Sequence, residues 1–333
     1  MFILCLKIYI QTILKNIIIY RTGSLRDTIV ALPALQIIRN KNPNSKIYYL
    51  HIKNHDLSSV SPVKIFKDLQ LIDQFIEMDN ISSIKEFYTS FKILKKIKIK
   101  KLYYLNEDRP ISKKIRDFIF FRILLNCKIL GLSIFTSNNF FYEGYYLANK
   151  IQKTSFKNLL SINELLREKI KESIKLDNFF KLRNYITISP GGRIPSKRWK
   201  ISNWKTLIKK IISKNKNIKI IILGTKSDKY QNYEISKVFK NNVLNFTGKT
   251  SVKKLMFILN FTNLHICHDD GTMHLSVLLN KKVLSIFHNI DFKKKWFQGH
   301  NKKHLQLYSL YGIESIKVEK VMYNFSKLKK IKL

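Results

Sequence analysis

The chain has 333 residues, more than one hydrophobic core supports, so two domains are expected. Its 45% hydrophobic content suffices for two cores, and three scattered cysteines, Cys5, Cys127 and Cys267, exclude a disulfide framework and fit a reducing compartment. The net charge of +40 raises nucleic-acid binding, but only ten of 62 basic residues are arginine and none follows Arg198, so base readout and bidentate phosphate clamping are poorly served. The lysines are spread among isoleucine and asparagine, which reads as a composition bias giving solvated faces. Such charge still draws a protein to an anionic membrane surface.

In chain order, "MFILCLKIYIQTIL" is apolar, but its 14 residues carry Lys7 and Gln11. That is too short to span a bilayer, and it lacks a secretory cleavage site. It reads as an extra helix on the body, with an interfacial membrane contact as the alternative. "NIIIYR" (16–21) reads as a buried strand, followed by the loop "TGSLRD" and a helix over 28–41 with Pro33 in an early turn. Strands follow at 45–52, within 71–79 and at 100–106, with helices over 82–97 and 113–126. A lysine- and glutamate-bearing helix between about 150 and 184 bridges the halves. The alternation then restarts with strands at 185–191, 218–224, 243–246, 264–269 and 282–287, separated by helices over 202–214, 229–240, 251–261 and 272–279. This pattern predicts an α/β fold of two doubly wound, Rossmann-like parallel-sheet lobes with a cleft between them. Their extents are 15–165 and 185–315, joined by 166–184, preceded by the segment 1–14 and followed by a lysine-rich tail over 316–333.

Ligands of such sheets sit outside the carboxyl ends of the strands, and four loops fall there. In "RTGSLRDT", Asp27 lies at or near a helix N-cap; it is either a cap or a carboxylate base that an incoming hydroxyl can reach. In "ISPGGRIPSKRW", Gly191 and Gly192 let backbone approach a ligand, and Lys197 and Arg198 suit a diphosphate, ahead of a helix capped by Ser202; the plain alternative is a basic surface loop. In "ILGTKSDKY", Gly224 ends a strand and Asp228 either accepts from a ribose or caps a turn. In "ICHDDGTMHLS", Gly271 opens a helix whose N–H groups suit an anion, with His274 one turn inside. A zinc site at His265, Cys267, His268, Asp269, Asp270 and His274 is set aside. His268 faces away from His265, Cys267 and Asp269 on the strand, and no paired ligand spacing recurs.

Together these segments resemble glycosyltransferase family 9, over about residues 15–290. "GSLRDTIVALPALQIIRNKNP" is similar to the family's opening signature, "LIDQFIEMD" to its second recurring segment, "SPGGRIPSKRW" to its lysine-arginine-tryptophan loop, "LNFTGKTSVKKL" to its glycine-lysine-threonine segment and "DDGTMHL" to its donor-binding element. The resemblance implies a GT-B fold and an inverting, metal-independent transfer of a sugar, a heptose in the family's best-known members. The donor would be a nucleotide sugar, ADP-linked there, and the acceptor a lipopolysaccharide core or other lipid-linked glycan. It implies no cofactor beyond that substrate, and a cytoplasmic enzyme peripheral to the inner face of the inner membrane. Carried over residue by residue, Asp27 falls at the base and Lys197 at the phosphate-contacting lysine. Asp269, Gly271, Thr272 and His274 match the donor element, with Asp270 beside them, and Asp228 stands where a ribose-binding glutamate is usual. Gly23, Ser24 and Arg26 lie on the acceptor side. Arg26 replaces a usual glycine, Asp270 a serine or threonine, and His288 a glycine. A nicotinamide-dependent oxidoreductase fails because no G-x-G-x-x-G opens either half. Competing readings stay open on sequence: a family member that uses a different nucleotide sugar or has decayed catalysis, and, more remotely, a non-enzymatic basic binder of nucleic acid or membrane.

Overall fold

Short runs of isoleucine, tyrosine and valine, buried on both faces, build two wholly parallel sheets in the computed structural model. It describes residues 16–52, 69–78, 84–134, 142–175, 182, 184–296 and 302–331, excepting the side chains of 84, 85, 175 and 291–293. The apolar segment 1–14 lies outside the described residues.

The first sheet holds β1 (Ile17–Tyr20), β2 (Ile47–Ile52), β3 (Gln74–Met78), β4 (Lys101–Tyr104) and β5 (Lys128–Leu130), in the order β3-β2-β1-β4-β5. Its helices are α1 (Leu25–Lys41), α2 (Ile84–Lys96) and α3 (Ile111–Phe118), the last continuing into a π-helical turn, Ile119–Leu124. The second sheet holds β6 (Tyr185–Ser189), β7 (Lys219–Ile222), β8 (Val243–Asn245), β9 (His265–His268), β10 (Val283–Ile286) and β11 (His304–Leu307), in the order β11-β10-β9-β6-β7-β8. Between them run α4 (Glu143–Ile151) and α5 (Phe156–Lys175). The second lobe adds α6 (Ile201–Lys214), α7 (Lys229–Ser236), α8 (Val252–Phe261), α9 (Gly271–Leu278), α10 (Ile290–Trp296) and α11 (Val318–Lys330). In each sheet the order reverses beside its first strand, between β1 and β4 and between β6 and β9. The crevices where such sheets bind ligands therefore open at the carboxyl ends of those four strands.

The halves share one continuous core, in which Ile29 and Leu35 of α1 join Leu166 and Ile170 of α5, Leu255 of α8 and Leu275 of α9. The helix α5 crosses the expected border at residue 165 unbroken. It donates from Arg167 Nε to the carbonyl of Leu278 (2.9 Å) and from Lys169 Nζ to Gln36 Oε1 (3.1 Å), strapping both lobes.

Three expectations change. Within the expected tail 316–333, the described residues 316–331 are no tail: Val318, Val321, Met322, Phe325 and Leu328 recur at helical spacing and bury α11 against α6, a stripe that the lysines between them disguise. The helix α1 starts three residues early, so Pro33 lies in its interior, where tertiary burial offsets a cost of about 3 kcal/mol. The helix α6 begins at Ile201, making Lys200 rather than Ser202 its N-cap residue.

Candidate active site

Leaving β1, the chain passes Gly23 at φ +130°, a conformation that favours glycine. A Cβ there would lie 2.5 Å from the Asp27 side chain, so the glycine makes the seat for that carboxylate. Ser24, not Asp27, is the N-cap of α1. Asp27 occupies the third helical position, its Oδ2 accepting from the Ser24 backbone N–H (2.7 Å) and hydroxyl (3.2 Å). Beneath it the fully buried Arg21 donates from Nε to the Asp27 carbonyl (2.7 Å) and also bonds the carbonyl of Leu105. Burial pushes the Asp27 carboxyl upward, but Arg26, Arg21 and the Ser24 amide outweigh it and hold it well below the usual carboxylate range.

Arg26 joins the lobes. Its guanidinium lies 3.3 Å from Asp27 Oδ1 and 3.7 Å from Glu107 Oε1, in the loop after β4. Across the cleft it reaches Asp269 Oδ2 (3.8 Å) and stacks 3.9 Å above the Trp296 ring. Nearby, Glu107 Oε2 pairs with Lys295 at 3.1 Å. Burial first, then the Asp27 carboxylate, raises the Glu107 carboxyl.

From the second lobe, Asp269 follows β9, with its side chain 3% exposed. Neither of its carboxylate oxygens accepts a hydrogen bond, yet Arg26 and Lys197 Nζ stand 3.8 Å away and His274 Nε2 3.7 Å away. Burial lowers the Lys197 pKa, with Asp269 opposing and Arg26 and Arg193 adding to it. Burial lowers that of His274 as well, against Asp269. Asp27, Lys197 and His274 thus gather around one Arg26–Asp269 bridge, although they come from three separate segments of sequence.

The loop carrying Lys197 is anchored by Trp199, whose backbone N–H donates to His268 Nε2 (3.0 Å) and whose indole donates to the Ile316 carbonyl (2.9 Å). Nδ1 of His268 therefore carries the hydrogen and donates to the Gly191 carbonyl (3.0 Å), and burial lowers this imidazole to about 4, keeping it neutral.

Other expected groups serve this scaffold instead. Asp228 accepts from Gly192 N–H (3.1 Å), Thr225 N–H (2.8 Å) and the Thr225 hydroxyl (2.8 Å), so both its oxygens hold loops, the turn-and-cap role. Arg198 braces the same loop, donating from Nε to the Gly192 carbonyl (2.7 Å). Gly224 makes room for Asn232, and Gly271 admits Leu25 of the first lobe, which would lie 2.7 Å from an added Cβ. Asp270 is the N-cap of α9: its Oδ1 accepts from Met273 N–H (2.9 Å) and Thr272 Oγ1 (2.7 Å), filling the anion position expected at that helix start. Burial raises its carboxyl to about 7.

His265, Cys267 and Asp270 bring ligand atoms within 4.8 Å of one another. Both His265 nitrogens, however, already meet threonine hydroxyls, Thr187 and Thr272, at 2.8 Å, and burial pushes the Cys267 thiol well above its ordinary range. A buried set whose histidine and carboxylate are already hydrogen-bonded suits a polar core better than a cation.

Sequence reading missed Glu107, Lys295 and Trp296. Glu107 was marked only by "LNEDRP" following a strand, and the other two by nothing local. Of the two loop glycines, an added Cβ at Gly191 would lie 2.3 Å from the pinned Asp228 Oδ1, whereas Gly192, at φ +147°, faces open space. Gly191→Ala is expected to lower stability by about 1–3 kcal/mol and to weaken nucleotide binding together with it, read by melting and titration calorimetry.

A family model described as glycosyltransferase family 9 (heptosyltransferase) matches residues 147–321, just over half of the chain. The lipooligosaccharide heptosyltransferase 2 of Campylobacter jejuni serotype O:2 is 28% identical over 307 residues, 88% of each chain. Among solved structures, a family 9 glycosyl transferase from Veillonella parvula superposes with TM-score 0.65 at 15% identity, covering 95% of this chain and 97% of its own. The E. coli ADP-heptose LPS heptosyltransferase II gives 0.66 at 12%, covering 95% and 98%. E. coli heptosyltransferase WaaC with ADP gives 0.66 at 11%, covering 94% and 99%.

Proposed function

Because the chain belongs to glycosyltransferase family 9 and has the GT-B architecture, we propose that it moves a heptose from an ADP-linked donor to a hydroxyl of a lipopolysaccharide-core or related lipid-linked acceptor. The reaction inverts the anomeric carbon and uses no metal. The names of the Campylobacter and E. coli relatives support heptose, ADP and a surface glycan. The observation that carries the chemistry is the meeting of Asp27 from the first lobe with Lys197 from the second across the Arg26–Asp269 bridge.

In this reading Asp27 takes the proton of the acceptor hydroxyl as its oxygen forms a bond to the anomeric carbon. The bond from that carbon to the diphosphate breaks on the opposite face, which inverts the centre, and ADP departs with the bonding pair. Lys197 meets the charge that develops on the leaving oxygen. Asp269 keeps Lys197 and Arg26 turned toward each other until the diphosphate shares them. No helix among the described residues is long and apolar enough to cross a membrane. We place the protein at the inner face of a bacterial membrane, held there by its charge.

A thermal-shift series with ADP, GDP, UDP and CDP tests the donor. ADP near a hundredfold excess over its Kd is expected to stabilise the fold by about 2.7 kcal/mol, with the others weaker. Preference for UDP, or no preference, overturns the assignment, and loss of transfer in chelator overturns metal independence.

A further inference from the structure

The helix α3 is built inside out. Its charged residues Lys114 and Asp117 are buried, while Ile111, Ile115, Ile119 and Ile123 along it and the π-helical turn expose between 44% and 62% of their surface, joined by Phe118 and Leu124. The buried charges are fully committed. Lys114 pairs with Asp108 at 2.6 Å, and Asp117 accepts from the Tyr104 hydroxyl (2.8 Å), Arg116 (2.7 Å) and Arg109 (3.2 Å). These bonds fasten the helix by its polar side to the end of β4 and turn its apolar stripe outward. A helix left to bury its apolar residues would sit the other way round. A stripe of this kind, held outward by buried ion pairs, marks an interaction surface.

The surroundings of the stripe say what covers it. Between residues 84 and 130 stand thirteen lysines and arginines against four acidic residues, and two of those four, Asp108 and Asp117, are the ones engaged beneath the helix. Lys113 and Arg122 of the same segment and Lys128 of β5 are exposed as well. The helix α2 abuts the π-helical turn through the Phe87–Phe120 edge contact, with ring centres 5.0 Å apart, and adds exposed Tyr88, Lys92, Lys95 and Lys96. Exposed isoleucines on a segment rich in exposed cations, next to a helix that adds a tyrosine and more lysines, are the composition of a surface that enters an anionic lipid interface. A second copy of the chain would bring two like-charged surfaces together, and a nucleic acid would leave the isoleucines without partners.

We propose that the outward face of Ile111–Leu124, with the neighbouring lysines of α2, docks on an anionic phospholipid bilayer. The consequence for the reaction lies in the connection. Glu107 touches Arg26 at the candidate active site, Asp108 holds Lys114, and α3 begins at Ile111. Docking therefore brings the rim of the cleft on the first lobe to the headgroup layer, where a lipid-linked hydroxyl is presented. This deepens the membrane-face reading above and rests on it.

The test is co-sedimentation of the full chain with vesicles of phosphatidylcholine alone and of phosphatidylcholine mixed with phosphatidylglycerol. The parent is expected to bind the mixed vesicles. Ile115→Ser/Ile119→Ser/Ile123→Ser, which leaves charge unchanged, is expected to bind them at least roughly tenfold more weakly. Its melting temperature and its ADP-induced shift should match the parent. A control on the second lobe, Leu310→Ser/Tyr311→Ser/Tyr323→Ser, alters apolar residues that are more exposed still and should bind as the parent does. If the parent binds and the α3 variant binds equally well, this surface is wrong and the membrane location stands. A parent that ignores anionic vesicles sinks the membrane location as well. Concentration-dependent dimerisation that the α3 variant abolishes would reassign the face to a second copy and overturn the proposal.

Discussion

Asp27→Asn is expected to lower sugar transfer by roughly 10²–10⁴-fold, the range that a positioned general base supplies, and to lower the melting temperature, because Arg21 and Arg26 lose the charge that holds Asp27 ionised, while ADP binding stays near that of the parent. The substitution separates the two jobs that Asp27 can hold. As the third residue of a capping turn it needs only an oxygen that accepts from Ser24, which the amide oxygen still provides. As a base it needs a lone pair that can take a proton, which the amide lacks. Donor contacts lie on the opposite lobe and should be spared. The pH profile gives a second reading. Asp27 is held low by its arginines, whereas burial and the Asp27 charge raise its neighbour Glu107. As pH falls, the proton goes first to Glu107 and Asp27 stays ionised, so the acid limb of the parent, set by Asp27, should lie below that of an isolated carboxylate. Near-normal turnover in Asp27→Asn would leave the residue as a cap and nothing more.

What the sequence disclosed follows from how local each signal is. The strand–helix alternation and the placing of four loops at strand ends came from runs such as "NIIIY" and "IKIIIL", where two-sided burial dictates the residue types. The site loops were legible for the same reason, since Gly23 and Gly191 mark places where backbone and carboxylate approach too closely for a Cβ. Roles inside those loops were harder to read. Asp228 and Asp270 look like ligand groups in one dimension, but the hydrogen bonds that claim them come from Gly192, Thr225, Thr272 and Met273, whose approach depends on the loops' closure. Trp296 meets Arg26 only after both lobes have folded, and Glu107 only once β1 and β4 lie side by side, and contacts of that kind leave no periodicity to detect. The terminal helix α11 hid for a different reason, its five-residue apolar stripe being diluted by lysines.

Lys197→Ala is expected to cost roughly 2.7–4 kcal/mol of transition-state stabilisation, a loss of about 10²–10³-fold in kcat, by comparison with removal of a single oxyanion donor. The ammonium sits 3.8 Å from Asp269 in a site sheltered from water. Burial drives its pKa below that of an ordinary lysine, and Arg26 and Arg193 drive it further, against Asp269. In the free enzyme the charge is therefore lost at lower pH than for a solvated lysine, and kcat/KM for the donor should fall along that limb. A bound diphosphate favours the charged form and raises the pKa, so the alkaline limb of kcat should lie at higher pH than that of kcat/KM. Lys197→Arg, which stays charged, should lose that limb while keeping part of the rate. One further comparison decides what Lys197 is for. If it served only to neutralise Asp269, removing both charges in Lys197→Ala/Asp269→Asn would restore turnover. If it meets the leaving diphosphate, the double variant should stay as slow as Lys197→Ala or become slower, because the charge that forms during the reaction then has no cation from the second lobe to receive it.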